Sequence, residues 1–255
     1  MIPLSDENLS LRTPVMTWAL LAAMFAVWIF VEGAGFNDNT LMAAVCNLGM
    51  VPGEITHRAA LGYALPMAPG LACVIDNSRI NIFTPLISIF LHGGWLHILG
   101  NAVFFWVFAR AVEDTMGPWR FLAFYLICGL AAAATQIASD PASPVPTVGA
   151  SGAISGVMGA YLVLYPRVRV HMLFIFVIFF KVFRIPAWMV LIWWFGVQLL
   201  TALPSLSSPG PDISGGVAVW AHVGGFLAGL VLIRAFVRPE LMAQRQRMMA
   251  ALRPA

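Results

Sequence analysis

Long apolar runs, broken by short polar joints that carry glycine or proline, dominate the chain. A bilayer core of about 30 Å needs about 20 apolar residues per helix. Six runs approach that length: Pro14–Val31, Trp95–Val112, Trp119–Ile137, Ser151–Tyr165, Pro186–Leu203 and Val217–Val237. Each predicts a membrane-spanning helix. The first differs from a cleaved leader: Asp6 and Glu7 precede it, its apolar run is long, and no small-residue cleavage site follows cleanly. It reads as an uncleaved span. A further run, Val170–Phe183, is apolar but only about 14 residues long, which fits a re-entrant or interfacial segment better than a span. The loop of about 60 residues between the first two spans is too long for a bare connection. Its glycines, prolines and apolar residues predict a partly membrane-embedded element. The expected architecture is an all-α, six-helix membrane bundle with a long first loop. It comprises a tail (1–13), a membrane domain (14–237) and a basic tail (238–255).

Composition agrees. Of 255 residues, 60% are apolar and only 10% charged, well under the share a soluble domain carries. Mean hydropathy is +0.87. An ordinary cytosolic enzyme, a nucleic-acid binder and a disordered chain are excluded. The pI near 9.0 does not reflect nucleic acid, because Lys181 is the only lysine and the arginines form no stripe interleaved with aromatics. Their placement reports orientation instead. With the N-terminus inside, 12 of the 14 basic residues fall on the inner side, and only Arg58 and Arg79 lie outside. This holds only if Val170–Phe183 does not cross. The terminal segment ELMAQRQRMMAALR reads as a short basic amphipathic helix near anionic lipid, or equally as a frayed terminus. Cys46 and Cys73 share the first loop, where a disulfide can form. The general burial of free cysteine favours two free thiols.

Polar residues inside spans are costly and therefore functional candidates. Four stand out: His97, Asn101, Ser151 and His222. Ser151 opens the fourth span within Gly149-Ala150-Ser151-Gly152. A lone serine in a membrane helix usually bonds its own helix carbonyl, but here a helix N-terminus offers free N–H groups suited to an oxyanion. His222 opens the sixth span, and parity puts it at the same outer depth as Ser151. Gly152-x-x-x-Gly156 and Gly225-x-x-x-Gly229 give the two helices small faces for close approach. A hydroxyl within reach of an imidazole is the pairing that nucleophilic catalysis needs. No acidic third member is apparent inside the spans. Asp212 is a weak candidate, so a dyad is expected. His97 and Asn101, four apart on one helix face, suit oxyanion donation, while His92 reads as a structural residue bonding loop backbone. No metal or cofactor is expected.

Three motifs, HGGWLHILGN (His92–Asn101), GASGAISG (Gly149–Gly156) and AHVGGFLAG (Ala221–Gly229), resemble those of the rhomboid intramembrane serine proteases. They come in that family's order, on its second, fourth and sixth spans. The resemblance implies Ser151 as nucleophile and His222 as general base. It also implies an oxyanion hole of His97, Asn101 and the Ser151 backbone N–H, and a first loop embedded in the membrane. Two positions depart from the pattern. Phe83-Thr84 stands where members often have Trp-Arg, and Ser155 stands where they carry a tyrosine packed on the histidine. The implied substrates are transmembrane helices of other proteins, cut near the outer boundary of a bacterial inner membrane, with both termini cytoplasmic. The loop Ala202–Gly216 is a plausible cap, and lateral access is expected near Trp188–Trp194, where an interfacial belt is the competing reading. An inactive rhomboid-like binder of membrane helices and a small transporter are the alternatives.

Overall fold

The computed structural model describes residues 2–8, 10–68, 70–176, 179–207 and 218–251. In chain order they form β1 (Ile2–Asp6), α1 (Val15–Phe30), α2 (Asp38–Leu48), α3 (Pro52–Ile55), β2 (Ala64–Ala68), β3 (Leu71–Val74), α4 (Thr84–Ile87), α5 (Trp95–Met116), α6 (Pro118–Ser139), α7 (Ser151–Leu164), β4 (Arg169–Phe176), β5 (Phe179–Pro186), α8 (Ala187–Ser207), α9 (Val219–Phe236) and α10 (Pro239–Ala251). A helix falls on each of the six segments expected to span. Three of them, α5, α6 and α9, are long and apolar enough to cross a membrane, while α1, α7 and the apolar stretch Ala187–Leu203 of α8 are shorter. The chain is an integral membrane protein built mostly of helices.

The expectation of an all-α fold is corrected. The described residues of Val170–Phe183 lie in the antiparallel pair β4 and β5, and β1 adds to β4 to make a three-stranded sheet ordered β1-β4-β5. The segment is rich in Val, Ile and Phe, which favour a pleated surface. A short apolar run alone does not separate strand from helix. Val170 and Met172 are buried against the helical core. The outer residues Ile175, Phe179, Phe180 and Val182 are exposed.

The core fills with aromatic and methionine side chains. Phe105, Phe108, Phe121, Phe124, Tyr125 and Tyr161 are fully buried. The α5–α6 corner turns at Gly117, whose φ of +80° suits glycine. Pro118 then occupies the first turn of α6, where a missing N–H costs nothing. The tightest crossing is α7 on α9. A Cβ added to Gly225 would lie 2.0 Å from the Gly152 carbonyl oxygen, and one on Gly229 would lie 1.9 Å from that of Gly156. The two small-residue faces meet as expected, and backbone touches backbone.

The first loop is folded and pinned. Cys46 of α2 and Cys73 of β3 form a disulfide, which corrects the weighting toward free thiols. Both lie in one compact loop unit, a proximity invisible to composition. The backbone N–H of His92 donates to Glu32 Oε1 at 2.7 Å, and that of Asp76 donates to Glu54 Oε1 at 3.0 Å. Met50 bridges Thr147, and the Gly149 N–H donates to the Ser88 carbonyl. These contacts anchor the loop to the entrance of α7. Thr84 is buried and bonds only locally, to the Asn81 carbonyl.

The opposite ends of α5 and α7 meet the chain termini. Tyr161 donates to Asp6 Oδ2 at 2.5 Å. Arg245 of α10 pairs with Asp114 of α5 at 2.7 Å, both about 4% exposed, and also donates to Asn8. The terminal helix is therefore docked through Arg245, a contact that neither sequence reading of that segment includes.

Candidate active site

α7 begins at Ser151, and its first backbone bond runs from the Ile154 N–H to the Ala150 carbonyl. The earliest N–H groups of the helix thus precede its ladder. Gly149 turns the chain into the helix at φ +132°. A Cβ there would lie 2.7 Å from His97 Nε2 and 3.5 Å from Ser151 Oγ. Glycine leaves open the small space on which the serine hydroxyl and the His97 imidazole converge.

His222 stands on the first turns of α9. Its Nε2 lies 2.7 Å from Ser151 Oγ, a strong hydrogen-bond distance. Its Nδ1 lies 2.8 Å from Gln198 Oε1 on α8. The ring of Trp194, one helical turn earlier on α8, packs on the imidazole with centroids 5.6 Å apart. Trp194 thus fills the role left open by Ser155, whose hydroxyl is spent on the Ser151 carbonyl at 2.6 Å. From α6, Gln136 Oε1 accepts the Ala221 N–H at 3.2 Å, which seats the start of α9.

His97 and Asn101 approach from α5. The Gly93 N–H donates to His97 Nδ1 at 3.3 Å, so a neutral ring carries its proton on Nε2, the nitrogen facing the space beside Gly149. Asn101 is buried, and its Nδ2 has no hydrogen-bond partner among the described residues. Two N–H donors are left unspent toward one cavity of about 770 Å³, lined by His97, Asn101, Ser151, Trp194 and His222. His92 lies behind them, its ring edge-on to His97 at 5.2 Å. Burial, reinforced by His97, pushes the His92 pKa down to about 3. Burial pushes the Glu32 carboxyl that holds its backbone up to about 7.

All four sequence-predicted residues meet in one cavity. Gln136, which was not selected, also lines it, and Gln198, also unselected, reaches His222 from α8. The signal for Gln198 was its lone amide in the middle of an apolar span. Of the expected gate tryptophans, Trp188 and Trp193 are exposed on the helix surface, while Trp194 turns inward. Asp212 and most of the loop Ala202–Gly216 lie outside the described residues. Among the described residues no group of three or more His, Cys, Asp or Glu could hold a metal ion.

Comparison with known proteins identifies a family. A model of the rhomboid domain matches residues 79–239. The chain is 42% identical over 81 residues to "Rhomboid protease GluP" of Bacillus subtilis (strain 168), covering 32% of this chain and 15% of that relative. It is 30% identical over 162 residues to "RHOMBOID-like protein 5" of Arabidopsis thaliana, covering 58% and 51%. It is 28% identical over 174 residues to "Rhomboid-like protease 5" of Toxoplasma gondii, covering 64% and 18%. The chain spans about half or less of the length of these curated relatives.

Proposed function

This chain belongs to the rhomboid family, and from that premise we propose that it is an intramembrane serine endopeptidase cutting transmembrane helices of other proteins. The observation that carries the reading is the 2.7 Å approach of Ser151 Oγ to His222 Nε2. Ser151 Oγ attacks the scissile carbonyl carbon while its proton passes to His222 Nε2. The carbonyl π pair moves onto oxygen. His97 Nε2–H, Asn101 Nδ2–H and the Ser151 N–H receive that oxyanion. The intermediate collapses, the C–N bond breaks, and the leaving amine takes the proton from Nε2. Water then attacks the acyl-enzyme and gives a proton to Nε2. The second collapse releases the acid and returns the proton to Ser151.

A peptide bond inside a helix is shielded by its neighbours, so the substrate unwinds locally, favoured by Gly, Pro or small residues at the cut. The cavity of about 770 Å³ has room for an unwound segment and water. In this reading the chain spans the membrane six times, and the site lies near the outer boundary of a bacterial inner membrane. β1, the β4–β5 hairpin and α10 then sit on the cytoplasmic side, with nearly all the basic residues. The packing of these elements against the ends of α5 and α7 remote from Ser151 supports that orientation.

The test is reconstitution with a fluorescent transmembrane substrate. Ser151→Ala and His222→Ala each lower turnover by orders of magnitude, because the pair acts as a unit. Normal cleavage by Ser151→Ala overturns the assignment. A folded wild type that binds but never cuts membrane helices points instead to an inactive binder.

A further inference from the structure

We infer that Gln198 is a positioning residue that fixes which nitrogen of His222 carries the proton. The inference rests on the protease reading above and adds a third member to its pair. His222 is held at both nitrogens, by Ser151 Oγ at 2.7 Å on Nε2 and by Gln198 Oε1 at 2.8 Å on Nδ1. An amide oxygen has no hydrogen to give, so this bond exists only when Nδ1 bears the proton. In the neutral imidazole that leaves the lone pair on Nε2, aimed at the serine hydroxyl. The opposite tautomer presents an N–H to Ser151, cannot take its proton, and leaves two acceptor sites of the pair unsatisfied.

The surroundings fit a dedicated orienter. No described carboxylate hydrogen-bonds to His222. Apart from its tryptophans, α8 carries no side chain able to hydrogen-bond between Ala187 and Leu200 other than Gln198. A polar amide at that depth is costly without a partner. Thr201, the next polar residue, is spent on the Val197 and Gln198 carbonyls. Trp194, four residues before Gln198, shares its helix face and packs, tilted, against the same ring. One face of α8 thus sets both the tilt of His222 and its tautomer. During the reaction the proton from Ser151 arrives at Nε2, Nδ1 keeps its own, and the amide dipole faces the cation that forms. No proton passes to Gln198.

The test compares Gln198→Met, which keeps the length and removes the acceptor, with Gln198→Glu, which keeps an acceptor oxygen at the same reach. With the transmembrane substrate, Gln198→Met lowers kcat roughly tenfold to a hundredfold, as loss of one buried hydrogen bond predicts, with KM nearly unchanged. Gln198→Glu recovers most of that loss. The independent readout is ¹⁵N NMR of labelled histidine, with the His222 signals assigned through His222→Ala. Wild type shows a protonated Nδ1 and an unprotonated Nε2, and Gln198→Met shifts the population toward Nε2–H. A wild-type Nε2–H tautomer, or Gln198→Met with wild-type kcat and tautomer, overturns the inference. The NMR result stands even where no cleavage is found, so failure of the protease reading is recognised separately.

Discussion

Replacing Gly225 by alanine tests whether the α7–α9 crossing sets the catalytic distance. The added Cβ would lie 2.0 Å from the Gly152 carbonyl oxygen, where at least 3.0 Å is needed. The obstacle is backbone, which no rotamer change relieves. The helices must therefore part by about 1 Å. Gly152 adjoins Ser151, and Gly225 lies one turn below His222, so the displacement acts directly on the pair. The hydroxyl-to-imidazole distance grows from 2.7 Å to beyond about 3.5 Å, outside hydrogen-bonding range. Displacements of that size cost on the order of a hundredfold in rate. The assay is turnover of a reconstituted fluorescent transmembrane substrate, normalised to folded protein by thermal unfolding. Gly196→Ala is the control. Its Cβ meets nothing within 4 Å, and alanine favours the helix by about 1 kcal/mol. Folded Gly225→Ala with wild-type turnover refutes the reasoning.

Three other outcomes are expected. Asn101→Ala lowers kcat roughly tenfold to a thousandfold, the range for one oxyanion donor, and unchanged turnover removes Asn101 from the hole. Glu32→Gln changes how stability depends on pH, read by thermal unfolding across pH 3 to 8. Proton uptake by buried Glu32 stabilises the fold below about 4.5, and that contribution fades as pH rises through about 7. The neutrality of His92 contributes stability above 6.5, lost as pH falls toward about 3. The two slopes oppose one another in wild type; the variant removes the Glu32 slope and gains relative stability above about pH 7, so an unchanged profile sinks this account. Cys46→Ala opens a loop closed across a sequence separation of 27 residues, a loss of about 3–4 kcal/mol on the chain-entropy estimate; an unaltered melting temperature would show that the loop does not need the bridge.

The parts of this protein that read out of sequence are those governed by local rules. Apolar run length located the helices, and small-residue spacing paired α7 with α9. Helix parity brought Ser151 and His222 to one depth. What did not read out depends on partners distant along the chain. Val170–Phe183 has the composition of several structures; its halves pair with each other, and the third strand, β1, comes from more than 160 residues away. The Cys46–Cys73 bridge depends on how the first loop folds back on itself. Gln198 is 24 residues from His222, and nothing in either segment states that α8 turns that face inward. Trp194 illustrates the same limit, since a tryptophan in a membrane span marks an interface as readily as a site wall.

The docking of Arg245 on Asp114 and Asn8 has a consequence for how the chain is made. Translation delivers Asn8 and Asp114 well before α10 exists, so until the last helix emerges the Asp114 carboxylate has the backbone N–H groups of Leu11 and Arg12 but not the Arg245 guanidinium. A buried charge without its partner is strongly unfavourable. The end of the bundle remote from Ser151 therefore closes last, when the first and final segments of the chain meet. Assembly of the helices and completion of that latch are separate events in time: in a ribosome-stalled chain ending before residue 239, β1 already has β4 and Tyr161 to hold it, while Asn8 and Asp114 still await Arg245, a difference that protease protection of nascent chains can detect.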